Sequence, residues 1–223
     1  MISVVLRKIL RFSILITIFT LMISTASERI NNNIELSIGY NAATLKTSLA
    51  KFSFSPLVID LTTKLNQKLN FSINYTFGEG DKIIEQNEYD LKWKQWGGSF
   101  DYKILNDDKS LWVSLLYREF GIKSTWRNEV DEDSWKGIGL GLSFRPKIRE
   151  NLYGKIGINY FPFLSGDISN YKNFEVTGQV EYVLKNNKNS LLLHYTNQNL
   201  TSLTQNIGDI KVNQLGISFK TKF

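Results

Sequence analysis

The sequence predicts an all-β fold, a transmembrane antiparallel up-and-down β-barrel of eight to ten strands, with ten the preferred count. Three observations predict it. From Ile34 onward the apolar residues recur with a period of two. The connections between the periodic segments alternate strictly between short and long. The final segment, LGISFKTKF, keeps its alternation up to Phe223.

The first segment, NIELSIGY, puts Ile34, Leu36, Ile38 and Tyr40 on one face. The second, PLVIDLTTKL, groups Leu57, Ile59, Leu61 and Leu65, and the third, NFSINYTF, groups Phe71, Ile73, Tyr75 and Phe77. The fourth, YDLKWKQWGGSFDYKI, changes phase. Tyr89, Leu91 and Trp93 have one parity, and Trp96, Phe100, Tyr102 and Ile104 have the other. One extra residue in a strand makes such a slip, and Gly97 and Gly98 are suitable sites for a bulge. The rival reading, a tight hairpin at the two glycines, gives eleven strands and breaks the alternation of connections.

The fifth segment, LWVSLLYREF, has Leu111, Val113, Leu115 and Tyr117 on one face, with Trp112 and Leu116 on the other. The sixth carries Ile138, Leu140, Leu142 and Phe144, and the seventh Leu152, Ile156, Ile158 and Tyr160. The eighth carries Phe174, Val176, Val180, Tyr182 and Leu184. The ninth is SLLLHYT, and the tenth ends the chain. Short polar turns follow the even segments: NQKLN, LNDDKS, RPKIREN and KNNKNS. Stretches of roughly 11 to 17 residues follow the odd ones, as in barrels with short periplasmic turns and long extracellular loops. An even count brings both termini to the periplasmic side.

Residues 1–26 read as a signal peptide, with the barrel domain at 27–223. Arg7, Lys8 and Arg11 precede an uncharged apolar run, residues 12–23, and Ser24 and Ala26 are placed as the small residues of a cleavage site. The run is too short to span a bilayer, which takes roughly 20 residues. Cleavage is expected after Ala26. The formal charge of +6 shrinks accordingly. Removing those three cations leaves 24 basic residues against 21 acidic ones, a net of +3, which argues against a nucleic-acid partner. With no cysteine, an exported fold has neither disulfides nor thiolate metal ligands.

Alternation alone does not say which face meets lipid, because a soluble barrel shares the period. Charges of both signs crowd the polar face, among them Glu35, Asp60, Lys64, Asp90, Lys92, Lys94, Asp101, Lys103, Arg145, Lys155, Glu175, Glu181 and Lys220. In a narrow lumen they can pair across strands. Aromatic residues sit towards segment ends, as interfacial girdles require. Both features predict an apolar face turned outward to lipid.

The ending resembles the terminal assembly signal of Gram-negative outer-membrane barrels: Phe223 last, with Phe219, Ile217 and Leu215 at spacings of two before it. Thr221 departs from the pattern. The whole mature chain resembles the small-barrel class of OmpA- and OmpX-like proteins, and the stretch from Tyr160 onward faintly resembles the YfaZ-type family. These resemblances imply an outer-membrane location and contact with outer-membrane lipid, lipopolysaccharide and the barrel-assembly machinery. The long loops, by their length, are where an extracellular ligand could bind.

One local resemblance carries chemistry. His194, Thr196 and Asn197 resemble the H-x-S-N motif of the lipid A deacylases. That resemblance implies His194 as base, Thr196 in place of the serine nucleophile and Asp209 as orienting acid. Residues two apart share a strand face, so base and hydroxyl can meet. Thr196 carries a hindering methyl, and Gln198 and Asn199 replace small residues of the motif. The bland reading makes His194 an ordinary strand residue. The acidic run 128–133, NEVDED, lacks the ligand spacing of a calcium loop and reads as a solvated outer loop. No cofactor, phosphate-loop or metal motif is found. The expected role is structural or surface-interacting, through the long loops. A narrow channel and a lipid A esterase are the alternatives.

Overall fold

A computed structural model of the chain describes residues 34–47, 51–84, 87–105, 109–126, 129–167, 171–185, 187–202 and 209–223. The expected signal peptide and its cleavage after Ala26 lie outside the described residues. The strands are β1 (Ile34–Lys46), β2 (Lys51–Phe54), β3 (Leu57–Lys64), β4 (Leu69–Ile84), β5 (Asn87–Lys103) and β6 (Lys109–Trp126). They continue with β7 (Glu129–Arg149), β8 (Leu152–Gly166), β9 (Tyr171–Val183), β10 (Asn189–Ser202) and β11 (Ile210–Lys222).

From β3 to β11 each strand pairs antiparallel with the next, β1 pairs with both β2 and β3, and β1 pairs back to β11, so the sheet closes. β2 and β3 share one position beside β1. β3 pairs from Leu57↔Tyr40 to Thr63↔Ile34, and β2 from Phe54↔Ala43 to Lys51↔Lys46. Between them Pro56, with no N–H to give, interrupts the ladder, and its carbonyl accepts the Asn41 N–H at 2.9 Å. Eleven strands therefore make a ten-position barrel, the preferred count.

The stagger can be read from the register. A path from Lys147 runs through Tyr153, Glu181, Leu192, Ser218, Gly39, Val58, Thr76, Gln95 and Phe120 to Trp135. It returns to β7 with 147 − 135 = 12 residues of offset. Twelve steps of ~3.3 Å against ten strand spacings of ~4.8 Å give a tilt of about 40°, within the ordinary barrel range.

At the end of the barrel that holds Ile34 and Phe223, the outer wall is apolar all round. Exposed residues include Ile73, Phe100, Leu115, Leu140, Ile156, Val180, Leu193 and Ile217. Their inward neighbours are mostly polar residues or glycine, with Trp112, Leu116 and Leu192 as apolar exceptions. Towards the far end the two faces exchange character. On β5, Trp96, Phe100 and Tyr102 point out, while Leu91 and Trp93 are buried inside and Lys92 and Lys94 are exposed outside. The same exchange puts Ala43 and Leu45 of β1, Phe120 of β6, Trp135 of β7 and Leu164 of β8 inside. Tyr171 of β9, Leu200 of β10 and Val212 of β11 join them.

This exchange corrects the expected bulge at Gly97 and Gly98. β5 keeps unbroken register with both neighbours through that site. The apolar residues change parity because the apolar face passes from the outer wall to the inner wall along the strand. A wall in lipid gains nothing by hiding apolar groups, whereas a wall in water gains ~1.5–3 kcal/mol for each large side chain it turns inward. Register does shift elsewhere, between Ile138/Leu140 and Lys147/Arg149 on β7. Opposite the first shift, β8 carries one extra residue around Pro162, where proline is tolerated.

The connections at the far end are a second correction. Most of each stretch expected as a long loop is strand: β4 runs to Ile84, β5 starts at Asn87, β6 runs to Trp126 and β7 starts at Glu129. The acidic run lies largely at the start of β7, with Asn128 outside the described residues.

Candidate functional site

The lumen is built in layers, each filled from facing strands. At the end holding both described termini, Glu35 of β1 meets Lys64 of β3 at 3.0 Å and Lys220 of β11 at 3.3 Å, with Lys222 at 3.8 Å. Lys220 also pairs with Glu181 of β9. All these residues alternate with lipid-facing ones, so the period of two delivers them to one cluster.

Above this cluster, Arg145 of β7 bonds Asp101 of β5 at 3.1 Å, reaching over β6. Its guanidinium carbon lies 4.4 Å from the centroid of the Trp112 ring. Trp112 in turn donates Nε1–H to Ser110 Oγ at 2.9 Å. The inward parity of Trp112, which looks irregular in sequence, is thus a packing position under Arg145.

Further along, Arg118 of β6 reaches across the lumen. It donates to Asn74 of β4 at 2.7 Å and to Glu175 of β9 at 3.3 Å. Glu175 is 1% exposed and also accepts from Asn159 at 3.0 Å and Asn173 at 3.5 Å. A buried ion pair keeps its charges only when such extra hydrogen bonds replace lost water.

The far mouth is closed by aromatic rings. Phe54, Trp93, Phe120, Trp135 and Phe161 come from five different strands. They form a continuous chain with centroid separations of 4.3, 5.3, 5.6 and 6.3 Å. Leu45, Leu91, Leu164, Leu200 and Val212 pack with them. Salt bridges, polar bonds and this apolar cap together line the interior.

The sequence-predicted residues are distributed as follows. His194 and Thr196 share the inward face of β10, as their spacing requires. Asp209 does not join them. It is exposed at the far end, where it accepts the Ser202 backbone N–H at 3.4 Å. It stands seven residue steps up β11 from Gly216, the residue opposite His194, or ~23 Å of strand. His194 Nε2 instead lies 2.6 Å from Asn41 Oδ1 of β1, and Asn41 Nδ2 donates to Gln214 Oε1 at 2.7 Å. Leu215, Ile217 and Phe219 point outward and are exposed, with Ser218 buried inside. Phe223 donates its N–H to the Ile34 carbonyl at 2.9 Å, the last rung at the β1–β11 junction.

Sequence reasoning missed Asn41 as the partner of His194, because nothing local links positions 153 residues apart. It also missed the aromatic cap, although the parity change on β5 was its visible trace. Among the described residues no group of His, Cys, Asp or Glu is placed to hold a metal ion.

No protein-family model matches the chain, and no curated protein does. Solved structures do match. The outer membrane protease OmpT from Escherichia coli is similar at 10% identity with a TM-score of 0.63, covering 87% of this chain and 98% of that one. Neisserial surface protein A is similar at 12% identity with a TM-score of 0.45, covering 85% and 97%. The attachment invasion locus protein Ail of Yersinia pestis is similar at 12% identity with a TM-score of 0.43, covering 87% and 100%. At these identities the likeness is one of fold, and the chain has the fold of the outer-membrane β-barrels.

Proposed function

We propose that this chain is an outer-membrane protein whose barrel crosses the membrane near its termini and stands as a water-exposed barrel beyond the outer surface. Its role there is surface interaction or structural support. The observation that carries this reading is the exchange of apolar residues from the outer wall to the inner wall along the strands. A barrel wholly in water would keep an apolar interior throughout, and one confined to lipid would have no apolar cap. The interacting surface consists of strand-built hairpins rather than the long loops the sequence suggested.

On this reading residues 1–26 are the export signal and the mature chain begins Ser27-Glu28-Arg29. The terminal residues Leu215, Ile217, Phe219 and Phe223 serve as the assembly signal for the barrel-assembly machinery. The cross-lumen ion pair and the apolar cap speak for a non-conducting barrel over a channel. The separation of Asp209 from His194 speaks against the esterase.

The test is gel migration of purified outer membranes with and without boiling, combined with single-channel recording. A heat-modifiable band without conductance steps is expected. A protein recovered in the soluble periplasm would overturn the membrane reading, and regular conductance steps would overturn the closed lumen.

A further inference from the structure

Two shallow grooves lie on the outer wall, both where β1 meets its neighbours. The lower, of ≈ 480 Å³, is apolar and lined by Ile38, Tyr40, Leu191, Leu193, Leu215 and Phe219 among others. The upper, of ≈ 430 Å³, runs over the small side chains Ala42, Thr44, Ser53 and Ser55 beside Tyr195. Small residues on β1 and β2, between larger ones, leave the depression.

Three lysines stand directly beyond the upper groove. Lys46 of β1 is in register with Lys211 of β11 on one side and with Lys51 of β2 on the other. All three are exposed, and the adjacent Leu45 and Val212 are buried, so the lysines point outward. Directly opposed side chains have Cβ atoms ~4.5–5.5 Å apart, a separation at which like charges destabilise a sheet.

Relief from within the chain is scarce. No Asp or Glu lies between Glu35 and Asp60, and Asp209 is the only one in residues 182–223. Asp209 is engaged with the Ser202 backbone. Among the described residues none of the three lysines forms an ion pair, whereas Lys92 on another wall has Glu79 at 3.7 Å.

The height is that of lipid headgroups. From Phe223 to Leu215 the tilted strand rises ~20 Å, and Lys211 lies four steps, ~10 Å, further. The lysines therefore sit just past an apolar belt about 25 Å tall.

We propose that this wall binds a phosphorylated, acylated lipid of the outer leaflet. Lys46, Lys51 and Lys211 take the phosphate, and the grooves below them take acyl chains. This rests on the outer-membrane reading and names its lipid partner. Ammonium groups serve phosphate as point charges and need no fixed fork geometry, which suits three flexible lysines on one wall.

The full mature chain, refolded in a neutral detergent, is titrated with a bisphosphorylated, acylated glucosamine disaccharide, and its unfolding midpoint is followed by heat-modifiable migration. Binding to the folded state alone raises the midpoint. The expected result is a rise in wild type and in K92Q/K94Q/K123Q, with at least a tenfold weaker apparent affinity in K46Q/K51Q/K211Q. The dephosphorylated lipid and inorganic phosphate at equal phosphate concentration are expected to give no rise. An equal rise in K46Q/K51Q/K211Q overturns the proposal. So does an equal rise with dephosphorylated lipid, or with inorganic phosphate, which would make the site one for free anions. Failure of the outer-membrane reading shows separately, as the lack of a heat-modifiable band in native membranes.

Discussion

The hydrogen bond between His194 and Asn41 passes over a third strand, with Gly216 of β11 directly beneath it. His194 pairs with Gly216 in the β10–β11 register, and Gly216 with Asn41 in the β11–β1 register. The two polar side chains can meet across the intervening strand because Gly216 has none. A Cβ there would overlap Asn41 Oδ1 and His194 Nε2.

Gly216→Ala is therefore expected to destabilise the barrel by ~1–3 kcal/mol, through crowding and the loss of a partly buried hydrogen bond. Gly178→Ala is the control, since a Cβ there meets nothing within 4 Å. It should shift stability by less than ~0.5 kcal/mol. Urea midpoints in lipid vesicles measure both. Equal midpoints for the two variants would dissolve the argument for Gly216.

The same bond predicts a structural role for His194. His194→Ala strands the Asn41 carbonyl and should cost ~1–3 kcal/mol. Thr196→Val should change stability little. Neither should alter the acyl pattern of the cells' lipids by mass spectrometry. A change in acylation caused by both variants would restore the esterase assignment.

The barrel itself was legible in the sequence. Period-two patterning located all ten positions, and the alternation of Ile217 with Ser218 showed which face points outward. The change of parity on β5 was not read correctly. Trp93 and Trp96 both look like members of an apolar face, and a bulge reconciles them with one continuous environment. In the fold, the apolar face moves from the outer wall to the inner wall between them. Contacts such as Arg118 with Glu175 were also hidden, because 57 residues of sequence separate the partners and only closure of the barrel brings them together.

That boundary makes an optical prediction. In vesicles whose acyl chains carry bromine, a variant retaining only Trp96 should be quenched. Variants retaining only Trp93 or only Trp135 should not, since both are buried in the cap. Trp93→Ala should cost ~3–5 kcal/mol, as for a large core aromatic. Strong bromine quenching of Trp93 would place the cap within the bilayer and reverse the assignment of the upper barrel.

The lumenal pair can be tested by unequal truncation. Glu175→Ala leaves Arg118 charged and without its carboxylate, an outcome that costs ~3–5 kcal/mol. Replacing both by apolar residues of similar volume, Arg118→Met with Glu175→Leu, should recover most of that loss, because both desolvation costs vanish together. The checks are urea midpoints for each single variant and the pair. If the double variant loses as much as the sum of the singles, Arg118 and Glu175 act independently and the cross-lumen link is not a unit.

The outer wall supplies the last prediction. Ile217 is 64% exposed on the apolar belt, flanked at spacings of two by Leu215 and Phe219. An arginine there faces hydrocarbon with no acidic neighbour in sequence from Gly216 to Phe223. Near the midplane such a charge costs ~2–4 kcal/mol. Lys123, exposed on the outer face of β6 beyond the belt, provides the converse. Lys123→Leu removes a charge from a wall surrounded by water and should change stability by less than ~0.5 kcal/mol. The two midpoints, measured in vesicles of matched thickness, separate a wall in lipid from a wall in water on the same barrel. A neutral Ile217→Arg would mean that water reaches the wall at Ile217, and the transmembrane reading of the apolar belt would fail with it.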